Sequence, residues 1–485
     1  MSGVGSTEPP RSGGVGLAGA GAGSVRATQT LLVTSLGAFM AFLDATIVNI
    51  AFPDLRASFP EASLADLSWV LNAYSIVFAA LLVPAGRLAD LYGRRRLFVW
   101  GLVVFGAASL LCALAPAEEL LVAARVVQAA GAAVMVPTSL ALLLPAFPPE
   151  RRATAVGLWG AAAAVAAAIG PPLGGLLIEA SDWRLVFLVN VPIAIAAIAL
   201  GRRVLEESRD ETALGLPDLV GAAVLALSIG ALSLGLVKGN EWGWSSGRVL
   251  VSFAVAAALV PVALARSARH PSPALHLELF RVPSFAVANV GTLLFASAFF
   301  AMLLGNVLFL TEIWGYSILK AGLAIVPSPL AAAVFAGPAG RLSDRFGQRP
   351  VAAPGAIVFA LGVGWLAWVA GPEPAYLREW LPGALLIGSG VGLTFPTLGS
   401  AAVAALGPRT FALGSAVSGT SRQLGAVLGV AILVAIVGAP GVAAAPSDFD
   451  AGWLFCAGAA IGAGLAALGL GRRRVIETTP LVEPA

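Results

Sequence analysis

Charge is what this chain has least of. Only 11% of its 485 residues are Asp, Glu, Lys or Arg, against roughly 25% in ordinary soluble domains. Hydrophobic residues make up 58% of it, and the mean hydropathy is +0.90. A water-soluble chain of this length needs a far more polar surface, so lipid must solvate most of it. Lysine is confined to Lys238 and Lys320, and the arginines are scattered in short segments. No basic stripe is left for nucleic acid. The two cysteines, Cys112 and Cys456, lie far apart inside apolar runs, which excludes a disulfide framework or a thiolate metal cluster. The two histidines, His270 and His276, share one connecting segment, and a metalloenzyme needs more ligands than that. No Gly-x-x-x-x-Gly-Lys-Ser/Thr loop is present to cradle ATP. With no nucleophile, metal or cofactor cluster in view, a membrane-embedded enzyme is the weakest reading.

What the chain does have is long apolar runs. A spanning helix needs about 20 apolar residues. Runs of that kind cover 28–52, 66–88, 97–115, 118–143, 153–178, 184–202, 217–237, 248–266, 284–310, 318–341, 351–370, 379–406, 410–438 and 452–471. Fourteen spans put both termini on one side of the membrane. Residues 1–27 are rich in Gly, Ala and Ser and lack the apolar core and cleavage site of a signal peptide. They read as a flexible tail, and 472–485 as a second one. Abundant Arg, Ala and Gly suggest a GC-rich bacterial gene.

The chain also repeats itself. Gly86, Arg87, Leu88, Asp90, Gly93 and Arg95 recur with the same spacing as Gly340, Arg341, Leu342, Asp344, Gly347 and Arg349. Internal repeats of this kind mark transporters built from two homologous halves. One copy follows the second span and the other follows the tenth. The organisation expected is therefore an all-α polytopic membrane protein of 6+2+6 helices. Its parts are an N-terminal half at 28–203, an inserted pair with its linkers at 204–283, and a C-terminal half at 284–471. Positive charge sets the orientation. Loops opposite the N-terminus carry only Arg56, Arg184, Lys238, Arg248, Lys320 and Arg378, while Arg125 and Arg422 lie inside spans. Every other basic residue falls on the side of the N-terminus. Both termini and both charged islands are expected in the cytoplasm.

A few polar residues stand out against this apolar background. Asp44, within Leu43-Asp44-Ala45-Thr46-Ile47-Val48-Asn49, is the one carboxylate well inside a span. A charge there is costly and by default marks function; an intramembrane carboxylate that takes and releases a proton is what proton coupling requires. Arg125 and Gln128, three apart in the fourth span, share a helix face. Asp44 and Arg125 both lie about 10–12 Å below the outer ends of their helices, so they can meet and Arg125 can tune Asp44. A structural ion pair is the plainer alternative. In each island a glycine, Gly93 or Gly347, permits a tight turn. Asp90 can pair with Arg94 or Arg95, or with a helix N-terminus, which would latch one side of the protein. A simple basic turn explains one copy of the island, but two copies in register favour the latch. Gly170-Pro171-Pro172-Leu173-Gly174-Gly175 combines a helix bend with a surface open to close helix approach. Ser418 and Arg422 share a face near the bilayer midplane. Tyr74, Gln128, Phe299, Asn306 and Trp314 complete the candidate cavity lining, although ordinary packing accounts for several of them equally well. On Arg422 two readings stay open: contact with an anionic substrate group, or screening of a carboxylate.

These motifs, with Asp182-Trp183-Arg184 through Asn190-Val191-Pro192, resemble the major facilitator superfamily in its fourteen-helix drug:proton antiporter branch (EmrB/QacA type). The resemblance covers about residues 28–471. Ala129, Ala166 and Leu185 depart from its usual pattern. It implies the major facilitator fold and a secondary transporter, not an enzyme, exporting amphipathic drug-like compounds in exchange for protons. Antibiotic resistance, no cofactor beyond the proton gradient, and a monomer in the bacterial inner membrane follow from the same likeness. Its partners would be small amphiphiles, protons and the bilayer. A periplasmic or lipoprotein adaptor is neither implied nor excluded. Export of a lipid, glycolipid or other endogenous metabolite by the same fold is the alternative.

Overall fold

The structure, a computed structural model, describes residues 17–148, 151–209, 215–404, 406, 411–438 and 445–471, without the side chains of 17–24, 152, 153, 164, 411 and 412. The expected tails at 1–16 and 472–485, including Arg472 to Arg474, lie outside the described residues. All regular structure described is helical. Among the described residues, fourteen helices are long and apolar enough to span a bilayer: α1 Val25–Ile50, α2 Leu64–Tyr92, α3 Arg94–Ala113, α4 Glu118–Ala146, α5 Thr154–Ala180, α6 Arg184–Val204, α7 Leu219–Val237, α8 Gly247–Arg269, α9 Pro283–Ile313, α10 Ile318–Phe346, α11 Arg349–Val369, α12 Tyr376–Ala404, α13 Leu413–Val437 and α14 Pro446–Leu468.

Local chemistry explains where these helices begin and end. Ser63 accepts from the Asp66 amide at 3.1 Å while Asp66 accepts from the Ser63 amide at 3.2 Å, a reciprocal cap on α2. Asp218 caps α7 through the Gly221 amide at 2.7 Å. Gly93 (φ 109°) and Gly347 (φ 89°) make the α2–α3 and α10–α11 turns, conformations that side chains resist. The two largest departures from the sequence expectation are at the starts of α1 and α14. The helix carrying α1 runs from Leu17 to Ile50, so 17–27 is not an irregular tail; extending a formed helix is far cheaper than starting one. α14 starts at Pro446, several residues before 452, because the acidic Asp448 caps it by accepting from the Ala445 amide at 2.8 Å. An acidic first turn is favourable at a helix N-terminus.

The packing repeats as the sequence does. In the first half α3 packs on α4, α1 on α5, α2 on α4, α3 on α6, α1 on α6 and α1 on α4. Each pair has its counterpart eight helices later: α11 on α12, α9 on α13, α10 on α12, α11 on α14, α9 on α14 and α9 on α12. That offset is six helices plus the inserted α7 and α8. The halves meet along two seams, α2 against α13 and α5 against α10.

These seams differ. The α2–α13 seam is packed from Leu64 beside Gly438 to Leu82 beside Gly419, and Thr420 Oγ1 donates to the Ala79 carbonyl at 3.2 Å. α7 lies across its outside, touching both α2 and α13, while α8 packs on α7. Among the described residues, the α5–α10 seam makes its close backbone contacts at the far end, away from the Gly93 and Gly347 turns. There a Cβ on Gly175 would stand 2.6 Å from the Leu319 Cα, and one on Gly322 would stand 2.5 Å from the Pro171 carbonyl oxygen. Arg56 pairs with Glu312 across the halves at the same end. Toward the turn end Gly157, Gly160, Gly337 and Gly340 face open space. The halves are therefore closed at the far end and parted along one seam at the turn end.

Candidate functional site

Asp44 sits at the centre of the first half, fully buried, with Arg125 beside it at 1% exposure. Arg125 Nη1 donates to Asp44 Oδ2 at 2.5 Å. Gln128 Nε2 donates to Oδ1 at 2.9 Å, and Asn190 Nδ2 reaches the same oxygen at 3.4 Å. Every contact has Asp44 as acceptor, the pattern an ionised carboxylate needs. Arg125 is held in turn: its Nε donates to the Val70 carbonyl at 3.0 Å, its Nη1 also donates to Gln128 Oε1 at 2.5 Å, and its Cζ lies 4.1 Å from the Tyr74 ring centre. Gln128 Nε2 also donates to Ser109 Oγ at 2.8 Å, and Cys112 Sγ approaches Gln128 Oε1 at 3.7 Å.

Five helices thus converge on one ion pair. A buried pair is tolerable only when its remaining lone pairs and protons are satisfied, and here the neighbours do that. The depth match between Asp44 and Arg125 is realised as direct contact. Asn190, Ser109 and Cys112 are additional members that the sequence did not single out. The motif Asn190-Val191-Pro192 held the one available signal: Pro192 has no N–H to donate to the Leu188 carbonyl, which leaves a local irregularity at Val189 inside α6, next to Asn190.

The pair lies at the edge of the space between the halves. A small cavity there is lined by Asn49, Tyr74, Ser75 and Arg125 from the first half and by Phe300 and Gln423 from the second. Arg125 and Tyr74 therefore stand between this cavity and Asp44. Arg422, on α13, reaches across to α1, with its Cζ 5.4 Å from the Phe42 ring centre. Ser418, one turn away, is buried.

Other expected cavity residues are placed elsewhere. Gln128 is wholly buried in the Asp44 network. Asn306 accepts from Trp453 Nε1 at 2.9 Å and packs inside the second half. Trp314 donates to the Gly371 carbonyl at 2.8 Å and joins Phe309, Tyr316 and Trp380 in an aromatic cluster. Both correct the cavity expectation: a Trp N–H and a buried Asn need fixed partners, and the second half supplies them internally. Phe299 packs with Phe300 and Phe395.

In the first charged turn Asp90 accepts from Arg94 Nε at 3.0 Å and Nη2 at 2.8 Å. The Arg95 and Arg96 amides donate to Glu207, each at 3.0 Å, and Arg95 Nη2 donates to the Arg202 carbonyl at 2.6 Å. These partners lie in the first half and in the linker that follows it. Arg341 and Asp344 of the second turn are exposed, and Gly340 has open space around it. Gly170 and Gly174 pack against Thr46, Ile47 and Ile50 of α1, while Gly175 and the Pro171 carbonyl meet α10. The Gly-Pro motif is thus a junction between the helix of Asp44 and the opposite half.

Comparison with known proteins places this architecture. A crystal structure of the peptide transporter POT in complex with sulfate superposes with a TM-score of 0.66 at 15% identity, covering 91% of this chain and 93% of that one. An auto-inhibited POT family peptide transporter gives 0.62 at 19% identity, over 94% and 99%. Among curated proteins, the chain is 36% identical to the multidrug resistance protein Stp of Mycobacterium tuberculosis, over 84% of this chain and 76% of that protein. It is 34% identical to the methylenomycin A resistance protein of Streptomyces coelicolor, over 87% and 89%. It is also 34% identical to the cephamycin export protein CmcT of Amycolatopsis lactamdurans, over 87% of each. A sequence model described as Major Facilitator Superfamily matches residues 34–288 and 290–483. The two packed halves and these matches lead to one conclusion: the chain belongs to the Major Facilitator Superfamily.

Proposed function

We propose that this protein is a proton-coupled exporter of amphipathic drug-like compounds in a bacterial cell membrane. Asp44 takes up and releases the coupling proton, and Arg125 compensates its charge. The turn end faces the cytoplasm, following the basic residues, so the present arrangement is the one open to the cytoplasm. Substrate enters between the halves there and leaves after the turn end closes and the far end opens. The named relatives, resistance and export proteins, support the substrate class.

The observation that carries this reading is the Asp44 cluster beside the cavity between the halves. Protonating Asp44 removes the charge that holds Arg125 at 2.5 Å. Arg125 is then left to find another partner, and its other contacts are to α2, α4 and α6. Proton uptake is thereby tied to a rearrangement among the helices that border the cavity.

Purified protein in proteoliposomes under an imposed pH gradient tests the proposal, with a fluorescent amphiphile as the transported probe. Asp44→Asn, which keeps the shape and an acceptor oxygen, abolishes gradient-driven movement while the protein stays folded by circular dichroism. Undiminished gradient-driven transport by this variant overturns the assignment.

A further inference from the structure

We propose that Arg422 forms an anion-recognition subsite in the central cavity, so that the preferred substrates are amphiphiles bearing a carboxylate or comparable acidic group. This rests on the efflux reading for there being a substrate, and adds the charge of that substrate.

Only Asp44, Arg125 and Arg422 carry charge deep within the spans. Asp44 and Arg125 neutralise one another, with Asp44 fully buried and Arg125 at 1% exposure. Among the described residues, lipophilic cations therefore meet no open carboxylate deep in the cavity. Arg422 is different. No ion pair among the described residues includes it, and it keeps partial accessibility in the middle of α13. The carboxylate-screening alternative is not what the geometry gives, because Asp44 is bonded by Arg125 from its own half.

Arg422 lies where a ligand between the halves would meet it. It extends from the second half toward α1 of the first, its Cζ 5.4 Å from the Phe42 ring centre. Its neighbour Gln423 lines the same small cavity as Arg125 and Phe300. A guanidinium near an aromatic ring gains a cation–π attraction, but its N–H donors lie in the plane of the group and stay available at its edge. That fork matches two carboxylate oxygens at once. Phe42 and Phe300 supply apolar surface for the ligand body. A cation left without a carboxylate in this setting is costly, and an acidic ligand supplies the missing partner.

Three probes with one ring system decide the matter: pyrenebutanoate, pyrenebutanamide and pyrenebutyltrimethylammonium. Binding is measured with the full chain in lipid nanodiscs, subtracting partition into empty nanodiscs. The wild type binds the carboxylate about ten- to a hundredfold more tightly than the amide, and binds the ammonium most weakly. In Arg422→Gln the carboxylate-to-amide ratio falls to within about twofold of unity. In Arg422→Lys it is intermediate, since an ammonium keeps the charge and loses the fork. If Arg422→Gln does not fold, the wild-type ranking and Arg422→Lys decide. Equal binding of the three probes by the wild type, no binding of any, or a ratio unchanged in Arg422→Gln overturns the subsite. Movement of the same probes under a pH gradient separates this from the efflux reading. Equal binding with gradient-driven movement removes only the charge preference. Arg422-dependent binding with no gradient-driven movement keeps the subsite and removes the efflux reading.

Discussion

At the scale of single residues, the Asp44–Arg125 pair concentrates most of the chemistry. Its partners were legible in part. Depth along two helices can be counted from the sequence, so the meeting of Asp44 with Arg125 was foreseeable. The approach of Asn190 and Ser109 was not, because it depends on how α3 and α6 are rotated about their axes. Losing one member of a buried pair leaves the other charge uncompensated, which costs about 3–5 kcal/mol. Asp44→Leu is therefore expected to destabilise the protein by about that much, as is Arg125→Met. The double variant should recover most of the loss. Thermal unfolding of the four proteins in one detergent measures the cycle. Additive losses would mean that the two side chains stabilise the fold independently, against the bonding seen here.

At the scale of elements, the informative contact is α5 with α10. Its glycines were conspicuous in the first half, but their partner was invisible in the sequence: Gly322 belongs to no motif, and only packing shows it against the Pro171 carbonyl. The two backbones approach so closely that no side chain fits. Overpacking such a contact costs about 1–3 kcal/mol, which shifts a two-state equilibrium by about five- to a hundredfold. Gly322→Leu should therefore depopulate the arrangement closed at the far end. Spin labels at Ala180 and Ser317 would report it as a longer distance population. An unchanged distance distribution would show that this contact does not hold the far end shut. The charged turns were read correctly as tight turns, as Gly93 and Gly347 with positive φ demonstrate.

At the scale of the whole molecule, the asymmetry between the seams matters most. The inserted pair is fastened to both halves at the far end. Lys238 bonds Asp66 at 2.7 Å, and Asn240 Nδ2 donates to the Ala435 carbonyl at 2.6 Å. α7 thus covers one seam and leaves the other uncovered. The pair contributes no ionisable residue to the cavity between the halves, since its internal pair, Arg266 with Asp218 at 2.6 Å, stays within the inserted segment. Joining the halves without 217–266 should leave proton-coupled transport measurable, though with a lower unfolding temperature because the α2–α13 seam is stripped of its cover. Proteoliposome transport and thermal unfolding test both parts. A correctly inserted twelve-helix variant that binds probe and moves none would give the pair a direct place in the transport cycle.

The sequence by itself determined the spans, the repeat, the basic asymmetry and the depth of each intramembrane charge. All of these follow from local quantities: apolar run length, residue order and rise per residue. Tertiary structure alone decided which faces meet. Helix packing in lipid is driven by shape and a few hydrogen bonds, with no hydrophobic force between helices to betray the contact face. An alanine- and glycine-rich helix is apolar all round, so its pattern does not mark the side that will be buried. That is why Asn306 and Trp314 read as cavity candidates and proved to be internal packing, bonded to Trp453 and Gly371. It is also why Arg422, visible as an intramembrane charge from the start, could be recognised as making no ion pair among the described residues only once the neighbouring helices were in place.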